Sequence, residues 1–396
     1  MSDFNAEAQR RRGWEVRKAK YLWQQITTPS LSSRKIGLEN IESFTGRFIE
    51  NEAQFEGNGV AFDQGDILYG KLRPYLAKVW VADFPGNAVG DFFVYRLTGG
   101  INTRYLKYYL LSPQFTNMAN ASTYGARMPR VSAEYMANLP IPLPPLPEQK
   151  AIVAYLDAET GRIDKAIAAE EKMIALLQER REIVINVAVG GGENFNAEAQ
   201  RRRGWEERRF GWIMSIKPSI SAPHEELLSV FLHKGVIRFI EESEKRTNVT
   251  STDLSKYQLV EPGDFVMNNQ QAWRGSVGVS QYRGIVSPAY FVMRLANCLK
   301  PDFANYLLRS RSVVSIFERC SRGVGTIQRN LIWDMLKVCR IAFPPLPEQE
   351  AIVERLDRET GKIDRAIEVK RRQIELLRER RQIVIDEMVT GKVSCA

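Results

Sequence analysis

Histidine and cysteine are scarce in this chain, with two of the first and four of the second among 396 residues. His224 and His233 complete no ligand set with Cys298, Cys320, Cys339 and Cys395, and no two cysteines form a CxxC pair. That excludes the usual zinc-binding spacings. The cysteines read as buried or free thiols in a reducing cytosol. No apolar run approaches the roughly 18 residues that cross a bilayer, and the N-terminal residues hold no apolar leader stretch, so a cytoplasmic protein is expected. There is no GxxxxGK[ST] loop, no GxSxG and no HExxH. A P-loop motor, a serine hydrolase of the elbow type and a zincin protease are thereby excluded.

What is present is basic and ordinary in composition. The net charge is +9, with 44% hydrophobic and 26% charged residues. This is a soluble globular balance that favours a polyanionic partner. The length suits two to four domains.

The dominant feature is a repeat. Pro144–Ile185 reads PPLPEQKAIVAYLDAETGRIDKAIAAEEKMIALLQERREIVI, and Pro344–Ile385 repeats most of it. Each copy predicts one long helix. Pro147 and Pro347 suit the first helical position, which needs no N–H. Glu148 and Glu348 suit the positive end of the macrodipole. Leu156, Ile163, Ile167, Ile174, Leu177 and Val184 recur at coiled-coil spacings, as do Leu356, Ile363, Ile367, Ile374, Leu377 and Val384. Gly161 and Gly361 interrupt the runs at a cost of about 1 kcal/mol each and leave room for a kink. About 40 residues of helix span roughly 60 Å. A helix of that length with one apolar stripe needs a partner, and the other copy is at hand.

A second repeat, FNAEAQRRRGWE, stands at Phe4–Glu15 and at Phe195–Glu206. Its arginines, Arg10–Arg12 and Arg201–Arg203, suit a solvated helix or turn, with contact to phosphate or a partner as the other reading. Between the repeats lie two globular segments, each with short β-rich runs followed by helix. In the first, these are Gly57–Phe62, Gly65–Gly70, Ala77–Asn87 and Asp91–Leu97, then a helical stretch over Arg104–Met118. In the second, Gly263–Ser280 stands where GDILYGKLRPYLAKVW stood, Ser287–Leu295 stands for Asp91–Leu97, and Gly325–Asn330 for Gly125–Arg130. Scaffold positions persist while exposed ones differ. Gly190–Gly192 reads as a flexible joint.

The order of segment, PPLPEQ helix, segment, PPLPEQ helix, with LD.ETG.ID.AI in duplicate and VTGKV at Val389–Val393, resembles the specificity subunit of type I restriction–modification systems. The resemblance covers nearly the whole chain. It implies an α+β fold of two target recognition domains, each followed by a long helix, the helices paired as an antiparallel coiled coil with pseudo-two-fold symmetry. The domains expected are 1–143, 144–190, 191–343 and 344–396. It implies a non-catalytic, phage-defence subunit that reads a bipartite, asymmetric double-stranded DNA site. It implies two methyltransferase subunits as partners, together with restriction subunits. No cofactor is expected in this chain. S-adenosylmethionine would belong to the methyltransferase, and ATP and Mg to the restriction subunit. Two readers on a stiff strut suit half-sites about one helical turn, roughly 34 Å, apart.

Candidate contacts follow from side-chain chemistry. In the first segment Lys71, Arg73 and Lys78 suit phosphates, and Tyr124, Arg127 and Arg130 form a basic, aromatic loop able to read guanine or bind backbone. In the second, Asn268, Asn269, Gln270 and Gln271 are amides able to pair adenine, beside Trp273 and Arg274, with Arg322, Gln328 and Arg329 in the later loop. For each residue alone a plain surface role is the competing reading. Ser287–Tyr290 resembles the Asn/Asp-Pro-Pro-Tyr box of adenine methyltransferases but lacks its second proline and an upstream glycine-rich loop. It reads as a turn into a strand. Asp66 with Lys71 completes no nuclease set. The reading from another class is a basic coiled-coil scaffold that holds protein or RNA without reading DNA sequence. An enzyme with an unfamiliar site is the third.

Overall fold

The structure, a computed structural model, describes residues 13–30, 32–51, 55–123, 128–190, 204–232, 234–239, 253–323 and 329–393. It divides into two compact units. Unit 1 comprises residues up to Glu171 together with Arg371 onward, and unit 2 comprises Lys172–Lys370.

Unit 1 opens with β1 (Glu15–Lys18), then β2 (Trp23–Ile26), β3 (Lys35–Ile36), β4 (Val60–Phe62), β5 (Ile67–Gly70), β6 (Val79–Val81), β7 (Gly86–Ala88) and β8 (Phe92–Leu97). Helices α1 (Thr103–Leu111), α2 (Pro113–Ala121) and α3 (Ala133–Asn138) follow, then β9 (Pro140–Leu143) and the long α4 (Leu146–Ala188). The main sheet is antiparallel in the order β2-β8-β5-β6, beside a three-stranded sheet β3-β7-β4. β1 pairs β9 and thereby joins the first strand to the last before the long helix. The apolar runs foreseen over Gly57–Leu97 all carry strands.

Unit 2 repeats this plan. It holds β10 (Glu206–Arg209), α5 (Phe210–Ile213), β11 (Met214–Ile216), β12 (Leu228–Phe231), β13 (Gly235–Arg238), β14 (Gln258–Val260), β15 (Phe265–Asn268), β16 (Val277–Val279), β17 (Gly284–Val286) and β18 (Tyr290–Leu295). Then come α6 (Pro301–Leu308), α7 (Arg311–Arg319), β19 (Ser321–Arg322), β20 (Asn330–Leu331), α8 (Trp333–Leu336), β21 (Arg340–Phe343) and α9 (Leu346–Val389). Its main sheet runs β11-β18-β15-β16, and β10 pairs β21. The hairpin β12–β13 has no counterpart among the described residues of unit 1.

The Gly-Asp pair that opens the central strand of each sheet has a structural cause. Gly65 and Gly263 both take φ of 92°, a conformation that suits a residue without Cβ. The next residue closes the turn: Asp66 Oδ2 accepts the Asp63 N–H and Asp264 Oδ2 accepts the Glu261 N–H, each at 2.8 Å. Each carboxylate is buried and takes a cation. Arg96 donates to both oxygens of Asp66, and Lys217 Nζ donates to Asp264 at 2.7 Å. This use of Asp66 agrees with its exclusion from a nuclease set.

The helical stretch over Arg104–Met118 is two helices. Ser112 breaks it, because a residue before proline is driven to extended backbone, and here φ is −70° and ψ 148°. The Ser112 hydroxyl then accepts the Phe115 N–H and caps α2.

Both long helices run unbroken through Gly161 and Gly361. Pro147 and Pro347 fall one residue inside the first turn. Helix segments pair antiparallel within each unit. In unit 1, Arg381 Nε donates to Asp164 at 3.0 Å and Arg378 reaches Glu171 at 3.2 Å. In unit 2, Arg181 Nε donates to Asp364 at 2.9 Å. The apolar stripe faces these contacts, with Leu156 and Leu356 fully buried. Ile385, Met388 and Val389 complete the unit 1 core, and Ala188 and Val189 that of unit 2.

Each globular part is tied to its helix by the same bonds. Gln149, 1% exposed, accepts the Asn102 N–H at 2.7 Å and donates to the Pro144 carbonyl at 2.8 Å. Gln349 accepts the Lys300 N–H at 2.9 Å and donates to the Pro344 carbonyl at 2.8 Å. Trp14 Nε1 donates to Glu148 at 3.1 Å and Trp205 Nε1 to Glu348 at 3.0 Å. The Tyr108 hydroxyl donates to Asp157 at 2.8 Å and that of Tyr306 to Asp357 at 2.7 Å. The tryptophans of the second repeat are therefore buried, contrary to a wholly solvated reading. Its arginines, Arg10–Arg12 and Arg201–Arg203, lie outside the described residues, as do Gly191 and Gly192.

Two outcomes follow. Gln149→Ala leaves a buried N–H and carbonyl without partners, and a loss of about 1–3 kcal/mol in urea unfolding is expected. A loss under about 0.5 kcal/mol, typical of surface changes, would contradict the clamp. The second concerns Lys107 on α1. Burial, then Arg381 and Arg104, push its ammonium from 10.5 down to about 8. The charged form is disfavoured in the fold, so its penalty is full below pH 8 and fades as pH climbs toward 10.5. Stability is expected to gain from this group over that window. Lys107→Met is expected to raise the urea midpoint at pH 7 and to flatten that rise, and a midpoint lowered at pH 7 would refute the assignment.

Candidate nucleic-acid interface

In both units the chain leaves the central strand of the main sheet into an irregular connection before the edge strand. In unit 1 this is 71–78, between β5 and β6. In unit 2 it is 269–276, between β15 and β16. A later segment of sequence meets each connection through the same backbone bond. The Val131 N–H donates to the Lys71 carbonyl at 3.1 Å, and the Leu331 N–H donates to the Asn269 carbonyl at 3.2 Å. The two candidate stretches of each globular segment, separate in sequence, are therefore one surface in each unit.

The unit 1 surface is cationic and braced by one carboxylate. Arg130 donates to both oxygens of Asp91, at 3.1 and 2.9 Å. Lys71 Nζ lies 3.8 Å from the same group and 5.8 Å from the centre of the Phe93 ring. Arg73 is exposed and takes φ of 50°, held by its N–H to the Pro129 carbonyl at 2.7 Å. A non-glycine residue in this left-handed region costs about 1–2 kcal/mol, and its side chain is projected by that backbone. Lys78 is turned inward instead. Its Nζ donates to the Leu38 carbonyl at 2.7 Å, and burial pulls its pKa down. Tyr124 and Arg127 lie outside the described residues.

The unit 2 surface is amide-rich. Asn268 closes its own turn, with Oδ1 accepting the Gln270 N–H at 3.1 Å and Nδ2 near the Tyr290 hydroxyl at 3.5 Å. Asn269 Oδ1 is buried and has no hydrogen-bond partner among the described residues. Such an acceptor costs about 1–3 kcal/mol until a donor reaches it. Gln270 is exposed, and its carbonyl accepts Trp273 Nε1 at 3.1 Å. The Gln271 carbonyl accepts the Arg274 N–H at 3.0 Å. Arg274 and Arg329 place their guanidinium carbons 5.5 and 4.8 Å from the Trp273 ring centre. Contacts of that kind contribute about 0.5–2 kcal/mol and orient the cation. Arg329 also meets Glu318 at 3.3 Å. Arg322 is exposed on β19. Gln328 lies outside the described residues.

Asp91 and Glu318 carry no signal in the sequence. Each is an acid whose partner arginine lies far off or in another element, so no local pattern announces it. Among the described residues there is no group of three metal-ligating side chains, and no helix is long and apolar enough to cross a membrane. Ser287–Tyr290 is a turn, with the Tyr290 N–H donating to the Ser287 carbonyl, and leads into β18.

Comparison with known proteins agrees with this duplicated plan. The family model for the type I restriction modification DNA specificity domain matches residues 13–177 and again 203–377. The type I restriction enzyme EcoDI specificity subunit of Escherichia coli is 33% identical over 141 residues, which is 33% of this chain and 31% of that protein. The type I restriction enzyme MjaVIII specificity subunit of Methanocaldococcus jannaschii is 26% identical over 296 residues, 69% of this chain and 66% of that protein. The aligned regions thus span less than two thirds of either relative. A chain from a solved structure, described as the structural basis underlying complex assembly and conformational transition of the type I R-M system, superposes with a TM-score of 0.69 at 20% identity. That superposition covers 96% of this chain and 98% of the other. The likeness is one of fold.

Proposed function

We propose a function on one premise: the chain belongs to the type I restriction modification DNA specificity family. It is a non-catalytic subunit that binds double-stranded DNA at a site in two parts, one read by each unit. The observation that carries this reading is the repeated bond from Val131 to Lys71 and from Leu331 to Asn269. The same scaffold presents different chemistry in each unit, cations in one and amides with a Trp–Arg cluster in the other.

Unit 1 supplies phosphate contacts through Lys71 and Arg73, which position the duplex, and Arg130 offers a braced fork to a guanine edge. Lys78, bound to the Leu38 carbonyl, supplies field rather than a direct contact. In unit 2 the half-buried Asn269 and the exposed Gln270 offer amides to a base edge in the major groove, such as adenine N6 and N7. Trp273 positions Arg274 and Arg329 beside them. Tyr124, Arg127, Gln270, Gln271, Arg322 and Gln328 complete the proposed contact set.

The partners proposed are two methyltransferase subunits and restriction subunits. S-adenosylmethionine, ATP and Mg would be held by those partners. Each long helix keeps an apolar face uncovered: Met173, Leu176, Ile183 and Val187 on α4, and Leu376 and Ile383 on α9, are 45–59% exposed. These faces suit partner helices.

Binding site selection from random duplex is expected to return two separate motifs. A single undivided motif, or none with uniform loss of binding in salt, would favour the scaffold reading. Arg73→Gly keeps the left-handed backbone and relieves its strain, so a urea midpoint that is unchanged or raised is expected, with weaker binding across all sequences and a salt slope lower by about 1. Trp273→Ala is expected to relax the second motif and spare the first, and equal damage to both would reject the division of labour. Ile183→Asp is expected to leave DNA selection intact while weakening co-purification with the methyltransferase subunit at least tenfold. Undiminished co-purification would place that partner elsewhere.

A further inference from the structure

The cysteines of unit 2 contain a pair that the DNA-reading function does not use. Cys320 Sγ and Cys339 Sγ lie 3.5 Å apart. Cys320 ends α7 and is 3% exposed, whereas Cys339 is half-buried and its thiol donates to the Met335 carbonyl at 3.3 Å. A disulfide needs about 2.05 Å between sulfurs, so closure asks for roughly 1.5 Å of movement. The positions that correspond in unit 1, after α2 and before β9, are Ser122 and Leu139. The pair is therefore particular to one unit.

Its place in the fold gives it a consequence. Cys320 precedes β19, and its carbonyl accepts the Ile332 N–H at 2.9 Å just beyond β20. Those strands carry Arg322 and bound the segment with Gln328 and Arg329. Cys339 precedes β21, and its carbonyl accepts the Phe210 N–H at 2.9 Å. A bond between the two sulfurs would fasten the root of the β19–β20 hairpin to the strand that feeds α9.

We propose that Cys320 and Cys339 form a two-thiol exchange site that takes a low-molecular-weight disulfide and closes to an intramolecular disulfide. Cys339, the more accessible thiol, attacks the small disulfide as its thiolate. A mixed disulfide forms on Cys339 and one small thiol leaves. Burial keeps Cys320 as a thiol, which gives up its proton as its sulfur attacks Cys339 Sγ and displaces the second small thiol. The two cysteines are oxidised by two electrons, the small disulfide is reduced by two, and each departing thiolate takes up one of the protons released. The 3.5 Å separation makes the second step intramolecular and fast relative to a further collision.

The test uses the full-length reduced chain, folded, with oxidised glutathione, followed by non-reducing peptide mapping. The expected product joins the peptides of Cys320 and Cys339 and carries no glutathione at either. With Cys320→Ser the reaction is expected to stop at a glutathione adduct on Cys339, and with Cys339→Ser Cys320 is expected to stay reduced. A lasting adduct on Cys339 in the unaltered chain, a predominant link to Cys298 or Cys395, or no reaction would each overturn the proposal. A second probe needs no variant. Phenylarsine oxide bridges two neighbouring thiols, so it is expected to shield both cysteines of the native chain from alkylation together, and shielding of neither or of one alone would also overturn it.

Discussion

Two buried amides hold this molecule's parts in register. Gln149 and Gln349 each satisfy a backbone carbonyl just ahead of a long helix and a backbone N–H just ahead of another helix, Asn102 before α1 and Lys300 before α6. A buried glutamine bonded at both ends has little freedom, because any rotation strands polar groups away from water. The main sheet leads directly into α1 and α6, so the angle at which each sheet meets its long helix is set at this point. The Trp–Glu and Tyr–Asp bonds beside it limit the same joint from two further sides. Whatever the loops read, they read it from a platform fixed by these contacts.

The platform explains how the surfaces can differ so much. The carboxylate that closes the turn before the central strand takes Arg96 from β8 in unit 1 and Lys217, just after β11, in unit 2. The backbone is the same while the cation arrives from a different strand. Side chains that face solvent on the connection are freer still, since the bond that shapes it is between main-chain atoms. A change there from lysine to asparagine alters chemistry without altering course.

Much of this is legible in the sequence alone. The repeat, the helix stripe and the strand runs depend on local periodicity, and they appear where Leu156, Leu356, Ile67–Gly70 and Phe265–Asn268 predict them. What stayed hidden is non-local or is masked by composition. Trp14 and Trp205 follow arginine runs, and their charged company suggested solvent, yet each inserts beside a helix start. Ser112 leaves no mark in the periodicity, because the helical pattern of Arg104–Met118 continues on both sides of it. The meeting of 71–73 with 128–131 joins residues nearly sixty apart, and no spacing rule foretells it. Asp91 is invisible for the same reason: only the fold brings Arg130 to it.

The division of the long helices between the two units has an outcome for biosynthesis. Unit 1 draws its core from residues up to Leu156 and then from Ile385, Met388 and Val389. At about 5–20 residues per second, a ribosome needs roughly 11–46 s to make the intervening stretch. During that interval Leu156 and the neighbouring apolar side chains of the first unit have no cover from their partner helix, while the second unit, whose residues are contiguous, closes as it emerges. The part translated first is the part finished last, and a released chain that ended at residue 370 would hold every residue of the second unit while the first still lacked its last helix segment.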